Sequence, residues 1–156
     1  MQGEPEIIEF LNEALTAELT AVNQYFIHSK LCANWGWDRL ADRNRDESIE
    51  EMKDAERLIE RIIYLEGMPN MQRLGTVGVG ENVPEQLDLD NELERAAIDR
   101  YRRGIQLCLD RGDAGTRELL EDLLVGEEEH LDWIETQQSA MRDVGLELYL
   151  QSQMHD

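Results

Sequence analysis

The stretch Asp122-Leu-Leu-Val-Gly-Glu-Glu-Glu-His-Leu-Asp-Trp133 decides how the chain is read. On an α-helix, residues three and four apart share a face. Glu127 and His130 therefore point the same way. Leu120, Leu123, Leu131 and Ile134 point with them, at minus seven, minus four, plus four and plus seven from Glu127. A stripe of that period is the buried face of an amphipathic helix. A carboxylate in such a stripe is costly unless something compensates it. With a histidine one turn away, a metal ion is the obvious compensator.

Three other segments repeat the motif of an acid on an apolar stripe. The first helical pattern runs from about 5 to 34, with Leu11, Leu15, Val22 and Tyr25 as its stripe and Glu18 on it. Gly36, between Trp35 and Trp37, breaks the pattern. A second helix is expected over about 40–66, stopped by Gly67 and then Pro69. Its core face of Leu58, Ile62 and Leu65 extends back to Asp54 and Glu51, three apart. Ile49, Met52, Ile59 and Ile63 form a second apolar line on the same helix, which predicts a subunit contact there. The third helix is expected over 83–111, with Pro84 in its first turn and Leu87, Ile98, Tyr101 and Ile105 as its stripe. Glu94 lies on that stripe, and Gly104 interrupts it. A fourth helix over about 116–144 and a short fifth over 146–153 complete the chain.

Residues 67–82 are rich in glycine and long for a loop in a compact domain. Extended, sixteen residues reach about 50 Å, and the second helix is about 40 Å long. The segment can therefore run the length of a bundle and start the third helix at the same end as the second. The expected fold is all-α: a four-helix bundle with one long crossover and a short C-terminal fifth helix.

Composition agrees. The 156 residues suit one domain, and 41% are apolar, enough to build a core. The net charge of −20 excludes a nucleic-acid surface and favours cations as partners. Nothing reaches the length of a membrane span, and the acidic start Met1-Gln-Gly-Glu-Pro-Glu6 lacks the basic region of a signal peptide. Cys32 and Cys108 are isolated and suit reduced thiols, so a cytoplasmic location is expected.

Each of the four helices thus puts one glutamate on its core face: Glu18, Glu51, Glu94 and Glu127. Asp54 and His130 stand three residues beyond two of them. So many acids in one core cannot all stay ionised alone. Two divalent cations would cancel most of the charge, the arrangement of ferritin-like di-metal carboxylate bundles. Iron, manganese and zinc all accept such ligands. Tyr25 and Trp133, near the core stripe, are either packing residues or electron donors. Asp46 and Glu50 flank the site face, where they could guide iron or simply sit in solvent. His28 is expected at the surface or in an interface, and His155 in a mobile tail.

On these residues the chain resembles the bacterioferritin family over essentially its whole length. The matching stretches are Leu19-Thr-Ala-Val-Asn-Gln-Tyr25, Glu47-Ser-Ile-Glu-Glu-Met52, Leu65-Glu-Gly-Met-Pro-Asn70, Glu118-Leu-Leu-Glu-Asp122, Glu127-Glu-Glu-His130 and Tyr149-Leu-Gln-Ser-Gln-Met154. The resemblance implies a single ferritin-like domain over 1–156 and a shell of twenty-four subunits. It implies ferroxidase activity, with Fe²⁺ oxidised by O₂ or H₂O₂ at a di-iron centre and stored as ferric mineral. It implies Glu18, Glu51, Glu94, Glu127 and His130 as iron ligands. It also implies a haem b shared between two subunits, with Met52 as its iron ligand, and a ferredoxin-type reductant for iron release.

Asp54 departs from the family, which has histidine there. Four glutamates and two histidines carry −4, which balances two Fe²⁺; with Asp54 and one histidine the total is −5. Three readings stay open. Asp54 substitutes as a ligand and the centre works; or its shorter arm impairs one iron position and slows oxidation; or the chain is a haem-bearing, electron-transferring structural subunit, in a mixed shell beside an intact second subunit. A di-metal oxygenase or catalase is a distant alternative, since nothing resembles a substrate-binding insertion.

Overall fold

The computed structural model describes residues 1–155. Five helices follow in order: α1 (Pro5–Trp35), α2 (Asp38–Tyr64), α3 (Val83–Arg111), α4 (Ala114–Val144) and α5 (Leu146–Gln151). α1 packs along α2 and α3 along α4, with α1 and α3 also in contact. No helix among the described residues is long and apolar enough to cross a membrane.

The ends of the helices follow local chemistry. α1 stops at Gly36, whose φ of 88° is left-handed and costs least without a Cβ. The Trp37 N–H then donates to Cys32 O at 2.9 Å, closing the turn. Gly112, φ 73°, ends α3 in the same way. α3 opens on Asn82, whose side chain accepts from the Glu85 N–H at 2.9 Å, while Glu85 Oε2 accepts from the Glu81 N–H at 2.8 Å. Asp113 caps α4 by accepting from the Thr116 N–H, and also takes Arg61 Nη2 at 3.1 Å, which ties the start of α4 to the end of α2. α2 begins at Asp38, two residues before the expected start, because Trp37 caps it without any side-chain hydrogen bond that sequence could reveal.

Two apolar clusters fill the bundle. One holds Ile7, Leu11, Leu15, Leu58, Ile62 and Leu120; the other holds Cys32, Leu40, Leu87, Ile134 and Tyr149. Gly104 belongs to the first. A Cβ there would lie 2.2 Å from Phe10 Cζ, so the phenyl ring occupies the space that a side chain would need. Between the clusters lies a polar layer of Glu18, Glu51, Glu94, Glu127 and His130, all buried. Leu131, expected on the buried stripe, is only half-buried.

The crossover is strapped to one face of α1. Asn12 Oδ1 accepts from the Asn70 N–H at 2.8 Å, Thr20 Oγ1 from Gly75 at 2.8 Å, and Gln24 Oε1 from Gly78 at 3.0 Å. His28 Nε2 accepts from the Gly80 N–H at 3.0 Å. His28 is therefore not a surface histidine: it is fully buried, with Nδ1 3.1 Å from Asp90 Oδ1. Sequence placed it outside because its partners lie far along the chain, in the loop and in α3. His155 Nε2 lies 3.1 Å from Asp42 Oδ2, so the tail touches α2.

Candidate metal centre

The site is built one helix at a time. α1 brings Glu18, α2 brings Glu51 and Asp54, α3 brings Glu94, and α4 brings Glu127 and His130. All six residues expected from the sequence meet in the polar layer, and their ligating atoms fall into two groups. Atoms of Glu18, Glu51, Asp54 and Glu127 lie within 4.8 Å of one another, and so do atoms of Glu47, Glu51, Glu94 and His130. Glu51 belongs to both groups, which is what a bridging carboxylate requires. The first group is all oxygen; the second offers one imidazole nitrogen.

Glu47 is the residue that sequence reasoning missed. It is four before Glu51, on the same face, and only 13% exposed, with Oε1 3.2 Å from His130 Nδ1. The spacing was visible, but its role depends on a histidine across the bundle. Asp46 and Glu50 are exposed, and Glu50 pairs with Lys53 at 3.2 Å.

Hydrogen bonds fix the outer glutamates. The Tyr25 hydroxyl donates to Glu94 Oε1 at 2.5 Å, and His130 Nδ1 lies 3.0 Å from the same oxygen. The Tyr101 hydroxyl donates to Glu18 Oε1. The second oxygens, Glu18 Oε2 and Glu94 Oε2, are buried without any hydrogen-bond partner. Two orphaned buried carboxylate oxygens in one layer need a cation, a proton or both. The His130 ring meets Tyr25 edge-on at 5.0 Å and stacks on Trp133 at 6.1 Å, over which Arg43 sits at 4.4 Å.

Electrostatics agree with the donor set. Burial, reinforced by the charge of Glu18, pushes the Glu51 and Glu127 carboxyls well up. Burial also raises Glu18 and Glu47. Asp54 is pushed up to about 8, by burial first and then by Glu18. Glu94 goes the other way: burial opposes ionisation, but its close neighbours Glu127, His130 and Tyr25 hold its carboxyl below the usual range. His130 is raised by its contact with Glu94, against burial. Without cations the layer thus disfavours ionisation at every carboxyl but Glu94, which pairs with His130. Divalent cations fit it: they would favour the ionised carboxylates and satisfy the orphaned oxygens.

Both the fold and this layer define a ferritin-like protein, and residues 8–144 match the family model described as a ferritin-like domain. The chain is 51% identical over 150 residues to the bacterioferritin of Streptomyces coelicolor, covering 96% of this chain and 90% of that one. It is 46% identical over 149 residues to the bacterioferritin of Mycobacterium leprae, covering 96% and 94%. With that of Brucella melitensis the identity is 45% over 149 residues, covering 96% and 92%. The chain belongs to the bacterioferritins.

Proposed function

We propose that the chain is an iron-storage subunit that takes Fe²⁺ as substrate at the two grouped positions and oxidises it. The observation that carries this is the sharing of Glu51 between two ligand groups, beside the orphaned oxygens of Glu18 and Glu94. Glu18, Glu51, Asp54 and Glu127 would hold one cation; Glu94, His130, Glu51 and Glu47 the other. Each Fe²⁺ gives up one electron. H₂O₂ takes the pair and leaves as two hydroxide ions, or O₂ takes the pair with two protons and leaves as H₂O₂. The proton that Asp54 gives up on loading is available nearby. Ferric product then passes to the interior of a shell of twenty-four subunits, in the cytoplasm, and a ferredoxin-type reductant releases it.

Asp54 sets the rate in this reading. Its side chain is one carbon shorter than glutamate and offers oxygen where the family has nitrogen, so the all-oxygen position loads weakly and oxidation is slow. Anaerobic Fe²⁺ titration followed by aerobic stopped-flow absorbance tests this. About two Fe²⁺ per subunit with a slow oxidation phase is expected; no saturable binding would refute the storage-enzyme reading.

A second reading has its own observation. Met52 is 57% exposed on α2, flanked on the same face by exposed Ile49 and Ile63, while Ile59 turns towards the core. A thioether on an open apolar stripe fits a haem shared with a second copy of the chain, and haem there would supply electron transfer to the stored mineral. The chain would then be a haem-bearing structural subunit, alone or in a mixed shell. Haem reconstitution, read by visible absorption, tests it: Met52→Leu abolishes the methionine-ligated spectrum while iron oxidation is unchanged.

A further inference from the structure

We infer that Tyr101 is a positioning residue for the all-oxygen metal position: its hydroxyl holds one oxygen of Glu18 so that the other is presented to the cation. This rests on the two-position reading above. The geometry behind it is reciprocal. Tyr25 stands seven residues after Glu18 on α1, and Tyr101 seven after Glu94 on α3. Residues seven apart on a helix share a face two turns on. Because the two helices run antiparallel, each tyrosine reaches the other helix's glutamate: Tyr25 to Glu94 and Tyr101 to Glu18. Both bonds take Oε1, and both leave Oε2 buried and unpartnered. The same device is thus built twice, once for each position.

The two halves differ only while no cation is bound. Glu94 Oε1 is held by Tyr25 and also faces His130 Nδ1 at 3.0 Å. Glu18 Oε1 is held by the Tyr101 hydroxyl. His130 is itself a ligand in this reading and turns its Nδ1 to the cation on loading, so Tyr25 alone then keeps Glu94 in place, as Tyr101 alone keeps Glu18. Tyr101 is 1% exposed and stays a phenol, because burial and the neighbouring acids push its ionisation well up. Hydrogen-bond partners behind metal ligands change affinity by about 10–100-fold when removed. Asp54, short-armed and in the same position, leaves that position the more dependent on a fixed Glu18.

The test is a Co²⁺ titration of the assembled, EDTA-treated protein by visible spectroscopy. An imidazole-bearing position and an all-oxygen position give distinguishable Co²⁺ bands. Tyr101→Phe weakens the all-oxygen class by about tenfold or more and leaves the imidazole class unchanged. Tyr25→Phe acts on the imidazole class instead and leaves the all-oxygen class unchanged. In a Glu18→Gln background, Tyr101→Phe has no further effect on either class. Melting of each metal-free variant separates positioning from packing. The inference is overturned if Tyr101→Phe leaves the all-oxygen class intact, or weakens both classes in parallel with a fall in melting temperature. If the wild-type protein binds no Co²⁺ in two classes, the two-position reading fails first, which is a different result.

Discussion

Replacing Asp54 by asparagine should stabilise the metal-free protein at alkaline pH while weakening its metal binding. Asp54 is pushed up from 3.8 to about 8 by burial and by Glu18. A carboxyl with a raised folded value contributes its full stability below the unfolded value and loses it as pH rises through the folded one. The window therefore runs from about 4 to about 8. Fully expressed, that gap corresponds to roughly 6 kcal/mol, but Asp54 is only partly buried and water screens it, so about 2 kcal/mol is the working figure. For a chain of this size that is about 4–8 °C in melting temperature. Calorimetry on EDTA-treated protein should find Asp54→Asn and wild type alike at the acid end, with the variant progressively ahead as pH rises. Saturating Zn²⁺ should reverse the order, since the ion rewards the carboxylate it binds. The reasoning is refuted if the difference between the two proteins stays constant across the window, for then the side chain does not feel the layer that surrounds it.

Other outcomes follow from single features. Asp54→His should restore nitrogen to the all-oxygen position and speed the aerobic oxidation phase several-fold in stopped flow; an unchanged rate would remove Asp54 as the limit. Gly104→Ala places a Cβ 2.2 Å from Phe10 Cζ and should cost about 1–3 kcal/mol by overpacking, read as a lower melting temperature. Leu58→Ala, at a fully buried site, should cost about 2–5 kcal/mol in the same assay. Cys32, fully buried with its thiol pushed up to about 12, should resist iodoacetamide in the native protein and react after denaturation.

What could be read in the sequence, and what could not, divides along a physical line. Glu18, Glu51, Glu94 and Glu127 were legible because each sits in phase with leucines and isoleucines of its own helix, and period is a local property. The crossover was legible in length. Its anchors were not, because Thr20, Gln24 and His28 lie on a distant helix. Glu47 escaped for the same reason: its neighbour His130 belongs to α4. The pairing of Tyr101 with Glu18 spans 83 positions and becomes meaningful only once α1 and α3 are known to be antiparallel. Spacing within a helix thus announces which side chains go inward, and only tertiary register says whom they meet.

The strap along α1 has a consequence for how this chain can vary. Long glycine-rich connections usually accept insertions cheaply. Here the amides of Gly75, Gly78 and Gly80 are matched to side chains spaced one helical turn apart, about 6 Å from anchor to anchor. One residue added between Gly75 and Gly80 would throw every later anchor out of phase, strand the buried imidazole of His28 without its donor, and loosen the start of α3 that presents Glu94. The connection works as a ruler cut to helical pitch, so its length is as constrained as any core residue.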